Sequence, residues 1–125
     1  MAFVFDPQTG NITLPRGDTG NINVSVNYEK LKEGDAVLFA IFDKYTGEDL
    51  LIKSADIVEG KAVVRICNHD TRDLAAKNYN WNLRIVTDPV RDENGNVIAD
   101  ECTDDVITVF QNPPRLKLTN GGAYV

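Results

Sequence analysis

The chain reads as an all-β protein, an antiparallel β-sandwich of about seven to nine strands with one short helical turn. Three observations predict this. Tyr79, Trp81, Leu83, Ile85 and Thr87 alternate with Asn80, Asn82, Arg84 and Val86, and Ile22, Val24, Val26 and Tyr28 alternate with Asn21, Asn23, Ser25 and Asn27. Side chains of a strand point to opposite faces with a period of two, so each run has one apolar face. Residues 36–42 are apolar on both parities, with Val37, Phe39 and Ile41 set against Leu38, Ala40 and Phe42. A strand of that composition is central and covered on both sides. Finally, turn-forming residues recur at short intervals, and no long helical period appears.

Taken in order, residues 11–14 form a short strand that Pro15 ends. In the turn that follows, Gly17 and Gly20 bracket Asp18 and Thr19, whose side chains bond back to the backbone. The alternating run 21–28 is the next strand, and 36–42 the central one. After a turn at 43–49 comes a strand at 50–53, expected to continue to Ile57 beyond a break near Ser54. Glu59 and Gly60 make a tight turn into a strand at 61–67. A single helical turn over 70–75, capped by the Asp70 side chain on the amide of Arg72 or Asp73, delivers the chain into the Trp-bearing strand. Asn94-Gly95 predicts a type I′ hairpin returning through 97–99. The last core strand is 106–110, and Arg115 to Thr119 is a short amphipathic strand or arm. The expected organisation is an N-terminal arm (1–10), one sandwich domain (11–112) and a C-terminal arm (113–125).

A chain of 125 residues is long enough to bury a core without a metal or disulfide staple. The net charge of −6 argues against nucleic acid and anionic membranes, whose phosphates need a cationic surface. No apolar run reaches the roughly 20 residues of a bilayer span. The first residues, MAFVFDPQTG, lack the features of a signal peptide, so synthesis in a cytoplasm is expected. There, Cys67 and Cys102 are expected to stay free thiols.

The search for chemistry returns structural readings. Arg16-Gly17-Asp18 spells an adhesive tripeptide, but Gly-Asp-Thr is also what a turn leading into a strand wants. His69 beside Asp70, with Cys67 two residues away, lacks a positioned third group and a cleft. Asp100, Glu101, Asp104 and Asp105, or Asp88, Asp92 and Glu93, offer oxygen ligands for calcium, yet neither set follows the helix-flanked calcium loop. No zinc spacing and no phosphate-binding glycine loop exists. The reading is a non-enzymatic protein with no cofactor, metal or catalytic residue. Tyr79 and Trp81 belong to the core, and Tyr45, in a turn, is the aromatic residue expected to be exposed.

Two segments then suggest a family: Leu14-Pro15-Arg16-Gly17-Asp18-Thr19-Gly20 ahead of an alternating strand, and Asp70-Thr71, Leu74 and Lys77-Asn78-Tyr79-Asn80-Trp81-Asn82-Leu83-Arg84-Ile85. Together they resemble phage and prophage structural proteins with an immunoglobulin-like sandwich, such as the N-terminal domain of baseplate upper proteins. Asn78 stands where those proteins often carry a Gly, and as the next-best residue for positive φ it fits that place. The resemblance covers roughly residues 11–110 and implies a virion structural or assembly module, made in the bacterial host's cytoplasm. Such a module works through contacts with other virion proteins or with itself. The expected contacts are Phe3, Phe5, Tyr45, Leu116, Leu118 and Tyr124, since an apolar N-terminus and an extended C-terminal arm can cover or extend a sheet edge. The alternative is a carbohydrate- or receptor-binding sandwich, which needs exposed aromatics on one patch.

Overall fold

The computed structural model describes residues 4–6, 8–26, 31–98, 106–108 and 113–119, and these are mostly β. The strands are β1 (Val4–Phe5), β2 (Ile12–Pro15), β3 (Gly20–Ser25), β4 (Ala36–Phe42), β5 (Asp49–Asp56), β6 (Lys61–Ile66), β7 (Asn78–Val86), β8 (Val106–Thr108) and β9 (Arg115–Thr119). A single helical turn, α1 (Asn68–Thr71), separates β6 from β7.

One large sheet has the order β1-β2-β9-β7-β4-β5, with β8 also paired to β7; β3 and β6 form a second, two-stranded sheet. The expectation of a wholly antiparallel arrangement is corrected at one place. β2 and β9 run parallel, with Ile12 opposite Leu116 and Leu14 opposite Leu118, so the large sheet is mixed. Alternation reports which face a side chain takes, not which way its neighbour runs, and hence the sequence carried no sign of this pair.

The core lies between the two sheets. The large sheet contributes Ile12, Leu14, Val37, Phe39, Ile41, Tyr79, Trp81, Leu83, Leu116 and Leu118, and the small one Ile22, Ala62, Val64 and Ile66. Both predicted alternations are realised where they are described: β7 buries Tyr79, Trp81 and Leu83, and β3 buries Ile22. Tyr28 lies outside the described residues. β4 sits between β5 and β7, and Ala36, Leu38 and Ala40 on its other face are buried as well. That doubly apolar strand is central, as expected.

Several local expectations are corrected. β5 runs unbroken through Ser54, and its irregularity lies earlier, where Leu50 is left out of register between the pairs Ile41–Leu51 and Phe42–Asp49. The helical turn spans residues 68–71, not 70–75. Asn78 is an ordinary strand residue and does not take positive φ. In the turn at 92–95, Gly95 has φ +84° while Asn94 stays on the negative side, so the hairpin is not type I′. The amide of Gly95 donates to Asp92 O, and the Asp92 carboxylate holds the amides of Asn94 and Asn96. A type I′ turn needs positive φ at both central residues. That geometry occurs at Glu59 (φ +53°) and Gly60 (φ +75°), where Val58 and Lys61 exchange both backbone hydrogen bonds.

Glutamate is a poor occupant of a left-handed position, because its Cβ crowds the following carbonyl. Glu59→Asn should therefore raise stability by about 0.5–1 kcal/mol. A shift of the urea midpoint at unchanged slope is the measurement.

Candidate functional site

Three local constructions on this frame carry the polar residues that the sequence singled out. The first joins the Arg16-Gly17-Asp18 turn to α1. Gly17 has φ +85° and is buried, and its amide donates to Thr71 Oγ1 at 3.0 Å. The Arg16 amide donates to Thr119 O at 2.9 Å, and Arg16 Nη1 to Leu74 O at 3.3 Å. The Asp18 amide closes the turn on Pro15 O. Thr71 is fully buried, so the tripeptide is a clamp between the β2–β9 end and α1, not a protruding loop.

The second construction holds Cys67, His69 and Asp70. Asp70 does not cap from the front of the turn as expected. Its Oδ2 reaches back to the amide of Cys67 at 2.7 Å and pairs with Lys53 Nζ at 3.0 Å, tying β5 to the end of β6. This is the reach-back half of a capping box, with the acidic residue in the first turn rather than ahead of it. His69 Nε2 lies 3.5 Å from Asp70 Oδ1 with its side chain largely exposed. Cys67 is a free, half-buried thiol, and Cys102 lies outside the described residues.

Burial by itself would raise the Asp70 pKa, but the Cys67 amide and the Lys53 ammonium together outweigh it and hold the carboxyl below its ordinary value. A carboxyl depressed in the folded state stabilises the fold above its unfolded pKa of about 3.9. That contribution fades as pH falls from there through the lower folded value. Asp70→Ala should thus cost about 1–3 kcal/mol at pH 7. The gap to the parent should narrow steadily below about pH 4, which paired urea titrations at pH 7 and pH 3 would show.

The third construction is a polar cleft of about 640 Å³ at the β4–β5 turn, lined among others by Asn11, Asp43, Tyr45, Asn78, Asn80 and Arg115. Asp43 Oδ1 accepts from the amides of Tyr45 and Thr46, and Oδ2 pairs with Lys77 Nζ at 3.3 Å. Those amide bonds, with help from Lys77, hold the Asp43 carboxyl below its ordinary value. Lys77 Nζ also stands 5.1 Å above the centre of the Tyr79 ring. Asn80 Nδ2 donates to Pro113 O, and Asn11 Oδ1 accepts from the Arg115 amide.

The six expected contact residues separate. Tyr45 is 91% exposed, on the rim of the cleft. Phe5 is 43% exposed and set edge-on to Trp81 with ring centres 6.5 Å apart, and β1 covers the outer edge of β2 in its own chain. Leu116 and Leu118 are corrected: both are fully buried, because β9 lies between β2 and β7 and points them into the core. The arm expected at 113–125 is therefore a built-in strand over 115–119. Phe3 and Tyr124 lie outside the described residues, as do Asp100, Glu101, Asp104 and Asp105. No group of three or more metal-ligating side chains occurs among the described residues. Sequence reasoning missed Thr71 and Lys53, since neither a lone Thr after an Asp nor a Lys in an alternating strand signals its distant partner. No protein-family model and no curated protein matches the chain.

Proposed function

We propose that the chain is an immunoglobulin-like sandwich serving as a non-enzymatic structural or assembly module of a phage or prophage virion. It acts through protein–protein contacts. Strand order supports the fold. In immunoglobulin lettering, β9-β7-β4-β5 reads G-F-C-C′ and β3-β6 reads B-E, on two facing sheets. The departure is β2, which lies beside the last strand instead of beside β3.

Tyr79 adds a second support. It stands near the start of β7, two residues ahead of Trp81, and its Oη donates to Ala75 O at 2.7 Å. That is the geometry of the tyrosine corner of such domains, with Trp81 in the place of the second cysteine. Tyr79→Phe removes this bond alone and should cost about 0.5–1.5 kcal/mol, read as a lower urea midpoint.

The observation that carries the functional reading is where the polar groups are spent. Asp70, Thr71 and Asp35 each hold backbone or side chains of neighbouring segments together, leaving surfaces and edges as what the molecule offers. The virion setting rests on the resemblance of residues 14–20 and 70–85 to phage structural proteins. Particles purified on a density gradient from the strain carrying this gene, probed with antibody, test it. The protein should sediment with the particles at fixed stoichiometry, and finding it only in the soluble fraction would reject the reading. The exposed Tyr45 beside a polar cleft favours a second reading, a carbohydrate- or receptor-binding module. In that case Tyr45→Ala should abolish binding while leaving the fold intact.

A further inference from the structure

The two sheets part along β5 and β6. A cleft of about 680 Å³ runs between them, lined by Lys53, Ser54, Asp56, Lys61, Val63 and Arg65 among others. The direction of each main-chain group along β6 follows from three hydrogen bonds. The Val26 amide donates to Gly60 O, so Gly60 faces the β3 side. Lys61 exchanges both its bonds with Val58, so it faces the opposite way. In a strand these directions alternate by residue. Ala62, Val64 and Ile66 therefore turn their main chain to β3, and Val63 and Arg65 turn theirs into the cleft. The neighbours at both ends are occupied, Lys61 by Val58 and the amide of Cys67 by Asp70. Among the described residues nothing pairs with the main chain of Val63 and Arg65. An unpaired edge of this kind is a template for another strand.

The frame gives the edge a meaning. In an immunoglobulin sandwich strand E has strand D on this side. Here the chain passes from β5 to β6 through residues 57–60 alone, with no room for a D strand between them. The charges say what fits. Asp56 is paired with Arg91 Nη1 at 2.9 Å and Lys53 with Asp70. The side chains of Lys61 and Arg65 have no ion pair or hydrogen bond among the described residues. Their cross-strand neighbours on β3 are the neutral Ser25 and Asn21, with Asn23 opposite Val63, which is 51% exposed. The outward face of this sheet is thus cation, apolar, cation along β6, on a protein of net charge −6.

We infer that β6 receives an extended segment of a partner protein at the position of the missing D strand, and that this segment alternates acidic and apolar residues. Main-chain bonds to Val63 and Arg65 supply the pairing; the acids, which period two gathers on the outward face, stand opposite Lys61 and Arg65 and supply the choice, while the apolar residues turn inward. A second copy of this chain is the poorer occupant, since pairing through β6 would gather four cations on one surface with no acid to balance them. The inference rests on the reading of the protein as an assembly module, but its test does not use particles.

The isotope-labelled full chain is titrated with a short peptide alternating glutamate and valine, and separately with its lysine–valine counterpart. The glutamate peptide should shift the amides of Val63 and Arg65 and slow their hydrogen exchange about tenfold or more. The lysine peptide should leave them unchanged. The double variant Lys61→Glu with Arg65→Glu, substituted at exposed positions and checked by its amide dispersion, should reverse the preference. An equal response to both peptides, a response confined to other strands, or Val63 and Arg65 amides already protected in a concentration-dependent dimer would overturn the inference. Sedimentation of the protein apart from particles would reject the virion reading and leave this result standing.

Discussion

A chain truncated before Arg115 is expected to show no cooperative unfolding transition. β9 is an inner strand, paired with β2 on one side and β7 on the other. Its removal exposes one side of the β7 edge, detaches β2 and β1 from the sheet, and uncovers Leu116 and Leu118 and the core they touch. Burial of each leucine is worth about 1.5–3 kcal/mol, before the lost ladder bonds are counted. The sum rivals the whole stability of a domain, about 5–15 kcal/mol. Trp81 reports the outcome, since its ring is buried in the native state. A truncated chain with blue-shifted emission and a sigmoidal urea curve would show that 115–119 is an appendage after all. Leu118→Asp offers the same test without shortening the chain, and should be as damaging, because it places an unpaired charge in the core.

Trp81→Ala should cost about 3–5 kcal/mol, the range for loss of a large buried aromatic side chain. Trp81 is 1% exposed, packs on Phe39 with ring centres 5.4 Å apart, and meets Phe5 edge-on. Its Nε1 donates to Gly10 O at 3.0 Å. That approach depends on Gly10, which has φ +78° and where a Cβ would come within 3.2 Å of Pro114 Cβ. The substitution therefore leaves a cavity and a carbonyl without its donor. Trp81→Phe separates the two effects: it refills most of the space and should cost about 1–3 kcal/mol for the lost bond. Urea titration followed by far-UV circular dichroism measures both, because the fluorophore itself is gone. A cost under 1 kcal/mol for the alanine variant would mean that the two sheets close over the gap.

What the sequence made legible is what period two encodes. Alternation located β3 and β7 to within a few residues and assigned Ile22, Tyr79, Trp81 and Leu83 to the core, and the Glu59-Gly60 turn marked the start of β6. The doubly apolar run marked β4 as central. The amphipathic stretch 115–119 was legible as a strand too, but not as an inner one. Leu116 and Leu118 have the same pattern whether they cover a core or await a partner, and only the pairing with β2 decides. The candidate sites were less legible. Tyr45 was readable from its turn, whereas the bonds from Gly17 to Thr71 and from Lys53 to Asp70 join segments far apart in the chain. The type I′ turn fell at Glu59-Gly60 and not at Asn94-Gly95, because the strands that flank a turn set its twist and a Glu there is strained into it.

The parallel pairing of β2 with β9 has a consequence for the order in which the molecule can be made. Leu116, the residue that Ile12 must lie beside, is made only after nearly every other described residue that follows Ile12. Until residue 119 has been made, β7 lacks β9 on its edge and β2 has no place in the sheet. Folding to the final sheet is therefore tied to the synthesis of β9, with contacts of great sequence separation forming last and slowly. During that interval the nascent chain carries an open strand edge and exposed apolar residues, the condition in which β proteins associate wrongly. Slowing synthesis would lengthen that exposure instead of relieving it.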